Sequence, residues 1–165
     1  MADTMTPEQR SRCMSAVKGK DTKPEMIVRK YLFSKGLRFR LHVRSLPGSP
    51  DIVLPKYKTV VFINGCFWHG HDGCKYYRLP QSNVDFWETK ITNNKNRDVV
   101  NEIKLKELGW KVIRIWECEI KRVQDRDQSL EKLYNQIVKK YIRYDENEIP
   151  IQIAAEEENG YGKER

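Results

Sequence analysis

The sequence predicts one mixed α/β domain, in which helices pack on a central β-sheet. Its 165 residues, 39% of them hydrophobic, suit a single domain with a buried core. Short β-branched runs alternate with helical patterns in the order α-α-β-β-β-loop-α-β-α. The chain contains no internal repeat that would divide it.

Two capping boxes predict the first two helices. Thr6 and Gln9 form the first box, and Thr22 and Glu25 form the second. Gly36 is placed to end the second helix in a left-handed conformation.

Alternating or β-branched runs predict four strands, at Arg38–Val43, Asp51–Leu54, Thr59–Ile63 and Lys111–Trp116. Residues 55–58 look like a hairpin turn between the second and third strands. Between the last two strands, residues 84–108 have a helical pattern, which we expect to break near Asn93–Asn96 and to be capped by Gly109. An amphipathic helix follows at Leu130–Ile142, and we expect residues 144–165 to form a disordered acidic tail.

Charge is concentrated at the amino-terminal end. The net charge is 31 − 23 = +8, and the first fifty residues carry 11 basic and 4 acidic side chains. A basic segment of this kind is typical of nucleic-acid binding, although a soluble surface or an anionic membrane would also fit. No run approaches the length of a membrane span, and the polar start lacks the apolar core of a signal peptide. We therefore expect a soluble, cytoplasmic protein.

Most of the cysteine and histidine lies in one loop. Cys66, His71 and Cys74 fall within nine residues, and Cys118 follows the last strand. Three thiolates and one imidazole would form a closed, structural zinc site. His69 could replace His71 as the ligand, and unrelated buried cysteines are the alternative interpretation.

Asp51 begins a short strand beside the end of another strand, at Ile63 and Asn64. Magnesium nucleases often place an aspartate in this position, although an aspartate after a proline is also common in turns. The pairs Phe67-Trp68 and Phe86-Trp87 could stack on or wedge between bases, and core packing is their ordinary role.

Taken together, these motifs resemble the very-short-patch repair (Vsr) mismatch endonucleases. The resemblance rests on LPGSPD (46–51), VFINGCFWHGH (61–71), ELGWKV (107–112) and WEC (116–118). Arg10, Met14 and the segment from Asp21 to Glu25 match the amino-terminal part of the family, so that the resemblance covers roughly residues 8–142.

The resemblance implies a restriction-endonuclease-like fold and a magnesium-dependent nick 5′ to the T of a T·G mismatch. Asp51 and the main-chain carbonyl of Ile63 would hold magnesium. His69 would be the general base with Asp98 beside it, and Glu25 would lie near the site. Asn64 departs from the family, because some members carry an active-site histidine there and others an aspartate. Asparagine can donate and accept hydrogen bonds but cannot take a proton at neutral pH.

The resemblance also implies the zinc ligands and the DNA contacts. Cys66, His71, Cys74 and Cys118 would hold zinc. Phe67, Trp68 and Trp87 would wedge into the DNA from the major groove, while Met14, with the basic Arg10 and Arg12, would approach from the minor groove.

We expect residues 1–20 to form a DNA-contacting arm and residues 21–143 the endonuclease domain. The protein would act as a monomer on mismatched double-stranded DNA, in the bacterial nucleoid, with mismatch-repair proteins as further partners. The alternative is a zinc-stabilised DNA-binding protein or a restriction-type nuclease of the same fold, without mismatch specificity.

Overall fold

The computed structural model describes residues 6, 8–9, 12, 15–16 and 19–145. Its elements are α1 (Lys23–Ser34), β1 (Arg40–Leu41), β2 (Ile52–Leu54), a 3₁₀ turn (Pro55–Tyr57), β3 (Thr59–Asn64), α2 (Val84–Glu107), β4 (Lys111–Trp116), α3 (Glu117–Lys121) and α4 (Val123–Asp145). This order confirms the predicted mixed α/β arrangement. In this part of the chain, no helix is both long enough and apolar enough to cross a bilayer.

The described strands form one mixed sheet in the order β1-β2-β3-β4. The first two pairings are antiparallel, whereas β3 and β4 run parallel and are connected through α2. The parallel register places Asn64 opposite Trp116. The chain segments that leave β3 and β4 therefore start side by side, at the carboxyl ends of these two strands.

Helices cover both faces of the sheet. On one face, Val28 of α1 and Leu133 of α4 belong to the same buried cluster as Ile52 and Val61. On the other face, Leu105 of α2 packs with Val53 and Val60. Burial of β2 and β3 on both sides explains why their sequences are apolar runs rather than alternating patterns.

The helix caps agree with the predictions. Thr22 and Glu25 form the reciprocal bonds of the capping box at the start of α1. Gly36 and Gly109 adopt φ values of +83° and +77° just beyond the ends of α1 and α2. The main-chain amide and side chain of Thr6 also pair reciprocally with Gln9.

The predicted strand Arg38–Val43 was too long, because β1 contains only Arg40 and Leu41. These two residues pair with Val53 and Ile52 of the three-residue β2. His42 then takes a φ of +45°, which is incompatible with an extended strand.

The predicted break at Asn93–Asn96 was wrong, because α2 is a continuous helix of 24 residues. Tertiary contacts offset the low helix propensity of asparagine here. Asn94 donates to the main-chain oxygen of Trp68 at 2.9 Å, and Lys95 forms an ion pair with Asp72 at 2.8 Å.

The last helix begins earlier than predicted, at Val123 instead of Leu130. Its first turns are mostly exposed and polar, so they carry no amphipathic pattern. The Arg126 side chain donates to the main-chain oxygen of Ile120 and so connects this part of α4 to α3. The helix also extends to Asp145, so the first two residues of the predicted tail, Tyr144 and Asp145, are helical. The predictions for Arg10, Met14 and the rest of the tail, residues 146–165, lie outside the described residues.

Candidate active site and zinc centre

A cavity of about 900 Å³ lies where β3 ends, between α1 and α2. It is lined by all five residues predicted to be catalytic, namely Glu25, Asp51, Asn64, His69 and Asp98, and also by Ile63. Four basic residues share its wall, namely Lys20, Arg44, Arg97 and Arg114. The cavity therefore combines groups that could move a proton with cationic side chains suited to phosphate.

His69 and Asp98 form an imidazole–carboxylate pair. The loop after β3 supplies His69, α2 supplies Asp98, and their Nδ1 and Oδ2 atoms lie 2.5 Å apart. An ionised carboxylate can only accept, so the ring carries its proton on Nδ1. Nε2 is then available to take a proton, which is the arrangement a general base requires.

Asp51 is anchored by the neighbouring strand. Its Oδ2 accepts a hydrogen bond from the Ile63 main-chain amide at 2.7 Å. Burial raises the pKa of Asp51 and the negative charge of Glu25 adds to this effect, whereas the Ile63 amide opposes it. A carboxylate that is costly to bury in its charged form is a suitable ligand for a cation.

The donors around Asp51 fit a magnesium ion. Magnesium is commonly held by one or two carboxylates together with water and substrate phosphate. Asp51 can supply the carboxylate, and the adjacent Ile63 carbonyl can supply a second oxygen. Asn64 is buried, with 4% of its surface exposed, and it lines the same cavity.

Glu25 lines the cavity and also stabilises the start of α1. Its carboxylate accepts from the Thr22 hydroxyl at 2.8 Å and from Arg29 at 2.6 Å. Glu25 also forms the capping box of α1, in which its carboxylate accepts from the Thr22 main-chain amide and its own amide donates to the Thr22 hydroxyl, and its side chain is only 5% exposed. Glu25 is therefore fixed in place by its own helix.

Arg29 and His42 belong to this network, and neither was predicted from the sequence. Potential ligand atoms of Asp21, Glu25 and His42 lie within 4.8 Å of one another. The Arg29 guanidinium contacts all three residues, at 2.5 to 2.8 Å, so it occupies the place a cation would take. One signal could have indicated His42, since it is the only one of the chain's three histidines outside the cysteine-rich loop.

The structure brings the four predicted zinc ligands together. Potential ligand atoms of Cys66, His71, Cys74 and Cys118 all lie within 4.8 Å of one another. Ligand atoms in a tetrahedral zinc–thiolate site are about 3.8 Å apart, so the set fits zinc. This geometry resolves the choice between the two histidines, because His71 belongs to the cluster and His69 pairs with Asp98.

The parallel strand pair explains how distant cysteines meet. Cys66 follows β3, Cys118 lies in the first turn after β4, and these strand ends are adjacent. His71 stacks on Trp116 with ring centroids 4.0 Å apart, which orients the imidazole toward Cys118. Burial raises the pKa of the Cys66 thiol to about 12, so without metal this side chain keeps its proton.

The predicted wedge residues form one aromatic cluster. Phe67 contacts Trp68 and Trp87, with ring centroids 5.2 and 5.3 Å apart. Phe67 and Trp68 are half-buried, not freely exposed as a solvent-facing loop would require, and Trp87 is only 7% exposed. Phe86 is 58% exposed and rests edge-on against Trp87. Arg12, the remaining predicted DNA contact within the described residues, is exposed.

A histidine–aspartate pair and a second carboxylate line one cavity with basic walls, so the site could supply a general base and a metal ligand to a bound phosphate. Comparison with known proteins identifies the family. Residues 2–75 match the profile of the family described as DNA mismatch endonuclease Vsr.

The relatives agree with this match. The chain is 49% identical to the type II nicking enzyme V.NmeAIP of Neisseria meningitidis serogroup A, over 83% of this chain and 97% of the relative. It is 48% identical to the type II nicking enzyme V.XorIIP of Xanthomonas oryzae, over 73% and 88%. It is 40% identical to the DNA mismatch endonuclease Vsr of Escherichia coli K12, over 73% and 77%. The chain belongs to the Vsr family.

Proposed function

We propose that the chain is a DNA endonuclease that nicks one strand 5′ to the T of a T·G mismatch. Such mismatches arise when 5-methylcytosine deaminates, and the nick would start very-short-patch repair. The observation that carries the proposal is the 2.5 Å contact between His69 and Asp98 in the cavity that also contains Asp51. Family membership and the names of the relatives support it.

Each residue of the cavity has a separate role in the proposed reaction. His69 takes the proton of the attacking water at Nε2, while Asp98 holds the ring and stabilises the imidazolium that forms. Asp51 and the Ile63 carbonyl would hold magnesium, which supplies Lewis-acid stabilisation of charge on the phosphate. Asn64 can donate a hydrogen bond to a phosphate oxygen and takes no part in proton transfer. In this proposal the domain has a restriction-endonuclease-like fold.

The DNA would lie along the basic wall of the cavity. Lys20, Arg44 and Arg97 would contact phosphates and supply affinity that is independent of sequence. The rings of Phe67 and Trp68 would wedge at the mismatch, where unstacking costs less than at a paired step. Because Trp87 is almost fully buried, it would support the other two rings from beneath.

The zinc centre would hold the loop that presents both rings and His69. Cys66 and His71 flank Phe67, Trp68 and His69 in the sequence. Metal ligation at both ends of this short segment would therefore fix the position of the base relative to Asp98.

A strand-specific nicking assay tests the proposal. Duplexes carrying T·G, U·G or fully paired sites are labelled on either strand and incubated with the zinc-loaded full chain and magnesium. We expect one cut, in the T strand of the T·G duplex. Equal cutting of the paired duplex would favour a restriction-type nuclease, and binding without cutting would favour a DNA-binding protein of the same family.

A further inference from the structure

His42 links the ion-pair network of Arg29, Asp21 and Glu25 to the cavity. Its Nε2 lies 2.8 Å from Nη2 of Arg29, and its Nδ1 lies 3.9 Å from Oδ1 of Asp51. The side chain is 20% exposed and lines the cavity. One imidazole ring therefore lies between the guanidinium on α1 and the carboxylate before β2.

The Arg29 contact determines which ring nitrogen of His42 carries the proton. An arginine guanidinium remains charged and can only donate hydrogen bonds. Nε2 of His42 must therefore accept from Nη2 of Arg29, and the ring proton lies on Nδ1. This proton faces Oδ1 of Asp51, while the other oxygen, Oδ2, accepts from the Ile63 amide.

The separation between Nδ1 and Oδ1 indicates how the two groups interact. At 3.9 Å it is too long for a direct hydrogen bond, and one water molecule can bond to both atoms across such a gap. Arg29 itself forms ion pairs with Asp21 at 2.5 Å and Glu25 at 2.6 Å, which fix its guanidinium. The His42 ring therefore contacts a group whose position is already determined.

The backbone supports a dedicated role for this residue. His42 adopts a φ of +45°, in the left-handed region that residues other than glycine seldom occupy. This conformation ends β1 immediately after Leu41. Strained positions of this kind concentrate at functional sites, where the surrounding structure maintains them.

We propose that His42 is a positioning residue for the nicking reaction, a neutral imidazole that Arg29 fixes in its Nδ1–H form and that orients Oδ1 of Asp51. This role rests on the proposed function, in which Asp51 is the carboxylate that holds the metal. His42 would act through Asp51 and would not touch the scissile phosphate. Loss of such an outer contact typically lowers activity by about 10- to 100-fold.

Two substitutions of His42 test the roles of its two ring nitrogens separately. His42→Asn keeps an amide donor near the position of Nδ1 and loses the acceptor for Arg29. His42→Gln keeps an oxygen acceptor near the position of Nε2 and loses the donor toward Asp51. We expect the single-turnover nicking rate on a T·G duplex to fall about 10- to 100-fold in His42→Gln and by a smaller factor in His42→Asn.

Stability and binding are measured on the same proteins, because asparagine also tolerates a positive φ better than glutamine. A positioning role predicts that duplex affinity in the absence of magnesium changes less than about threefold, while the rate falls. A purely structural role predicts that the melting temperature, the affinity and the rate fall together. That result, or a His42→Gln variant that nicks at the wild-type rate, would overturn the proposal.

Nitrogen NMR provides a test that needs no variant to fold. The chain has three histidines, so a ¹⁵N-histidine-labelled sample of the zinc-loaded protein gives a simple ring-nitrogen spectrum. We expect His42 to be protonated on Nδ1 and unprotonated on Nε2. Protonation of Nε2 would overturn the proposal. If the wild type fails to nick any mismatch, the proposed function and the role of His42 in it both fail, whereas this spectrum still reports the Arg29–His42 contact.

Discussion

Asp51 is a residue at which stability and the proposed reaction conflict. It lies in a largely buried position, and its pKa is raised by burial and by the charge of Glu25. Folding therefore favours the protonated form, and ionisation of Asp51 weakens the fold as the pH rises through its folded-state pKa. A metal ion bound at this carboxylate would offset that cost.

We predict that Asp51→Asn abolishes nicking and raises the melting temperature. Losing the metal ligand should lower the nicking rate by at least about 10³-fold, because Lewis-acid stabilisation is worth several kcal/mol. Removing the buried charge should raise the melting temperature by about 1–3 °C at pH 7.5 in buffer without magnesium.

The pH dependence tests the cause of the stabilisation. Below about pH 3, Asp51 is largely protonated in both the folded and the unfolded state, so the difference in melting temperature between variant and wild type should disappear. An Asp51→Asn protein that melts lower than the wild type at pH 7.5 would show that the carboxylate stabilises the fold. Appreciable nicking by the variant would remove Asp51 from the proposed mechanism.

At the scale of elements, the cysteine-rich loop docks closely on α2. Gly70 has a φ of +57°, and a Cβ built there would lie 2.7 Å from Cγ2 of Ile91, which is buried in α2. Gly36, at the end of α1, has a similarly positive φ, of +83°, but a Cβ there meets no described atom within 4 Å. Both glycines therefore have a positive φ, but only Gly70 is closely surrounded by other atoms.

We predict that Gly70→Ala destabilises the protein more than Gly36→Ala does. Backbone strain alone should lower the free energy of unfolding by about 1–2 kcal/mol in Gly36→Ala. Overpacking against Ile91 should raise the loss to about 2–4 kcal/mol in Gly70→Ala. Urea unfolding of both variants measures the difference, and equal losses would show that the loop does not pack tightly on α2.

Local signals in the sequence were enough for some elements and not for others. Capping boxes and glycine caps depend on neighbouring residues, so the bounds of α1 were predictable from residues 22–36. The continuity of α2 was not predictable, because it depends on contacts of Asn94 and Lys95 with a loop more than twenty residues away. The short β1 likewise reflects the conformation of His42, which its neighbours in the sequence do not dictate.

In the candidate site, too, some features follow from neighbouring residues in the sequence and others only from tertiary contacts. Cysteines and histidines at close spacing predicted most of the candidate zinc ligands, and the folded structure then placed His71 with the cysteines and His69 beside Asp98. The Arg29–His42 contact joins residues on α1 and after β1, so no local spacing could reveal it. The buried position of Trp87 is also a tertiary property, which the sequence pattern at the start of α2 did not contain.

At the scale of the whole molecule, the cluster of Cys66, His71, Cys74 and Cys118 should couple zinc binding to protonation. Burial raises the pKa of Cys66 to about 12 and also raises that of Cys118, whereas a main-chain amide hydrogen bond from Tyr76 lowers the pKa of Cys74. The two cysteines with raised pKa values should be protonated in the metal-free protein at pH 7. Zinc binds thiolates, so binding must release these protons.

We predict that metal-free protein releases about two or more protons for each zinc bound at pH 7, and that zinc affinity falls steeply as the pH is lowered. Titration in a weakly buffered indicator solution measures the release, and Cys118→Ser should release about one proton fewer. Elemental analysis of the purified protein should give one zinc per chain. A content below about half an equivalent, with folding unchanged by chelators, would exclude the zinc centre.

In the proposed mechanism, three separate parts of the chain assemble one reaction site. The loop after β3 supplies His69, α2 supplies Asp98, and the segment before β2 supplies Asp51. The contact between His69 and Asp98 joins two of these parts, and its removal should leave the candidate zinc ligands and the basic wall of the cavity in place.

The most direct test is the single-turnover nicking rate of Asp98→Asn on a T·G duplex, measured together with duplex binding. Asparagine cannot stabilise the imidazolium, and its amide can force the ring proton onto Nε2. The proposed roles of His69 and Asp98 predict a nicking rate about 10²- to 10⁴-fold lower than that of the wild type, with duplex affinity changed less than about threefold. A variant that binds the duplex and nicks it at the wild-type rate would contradict the account.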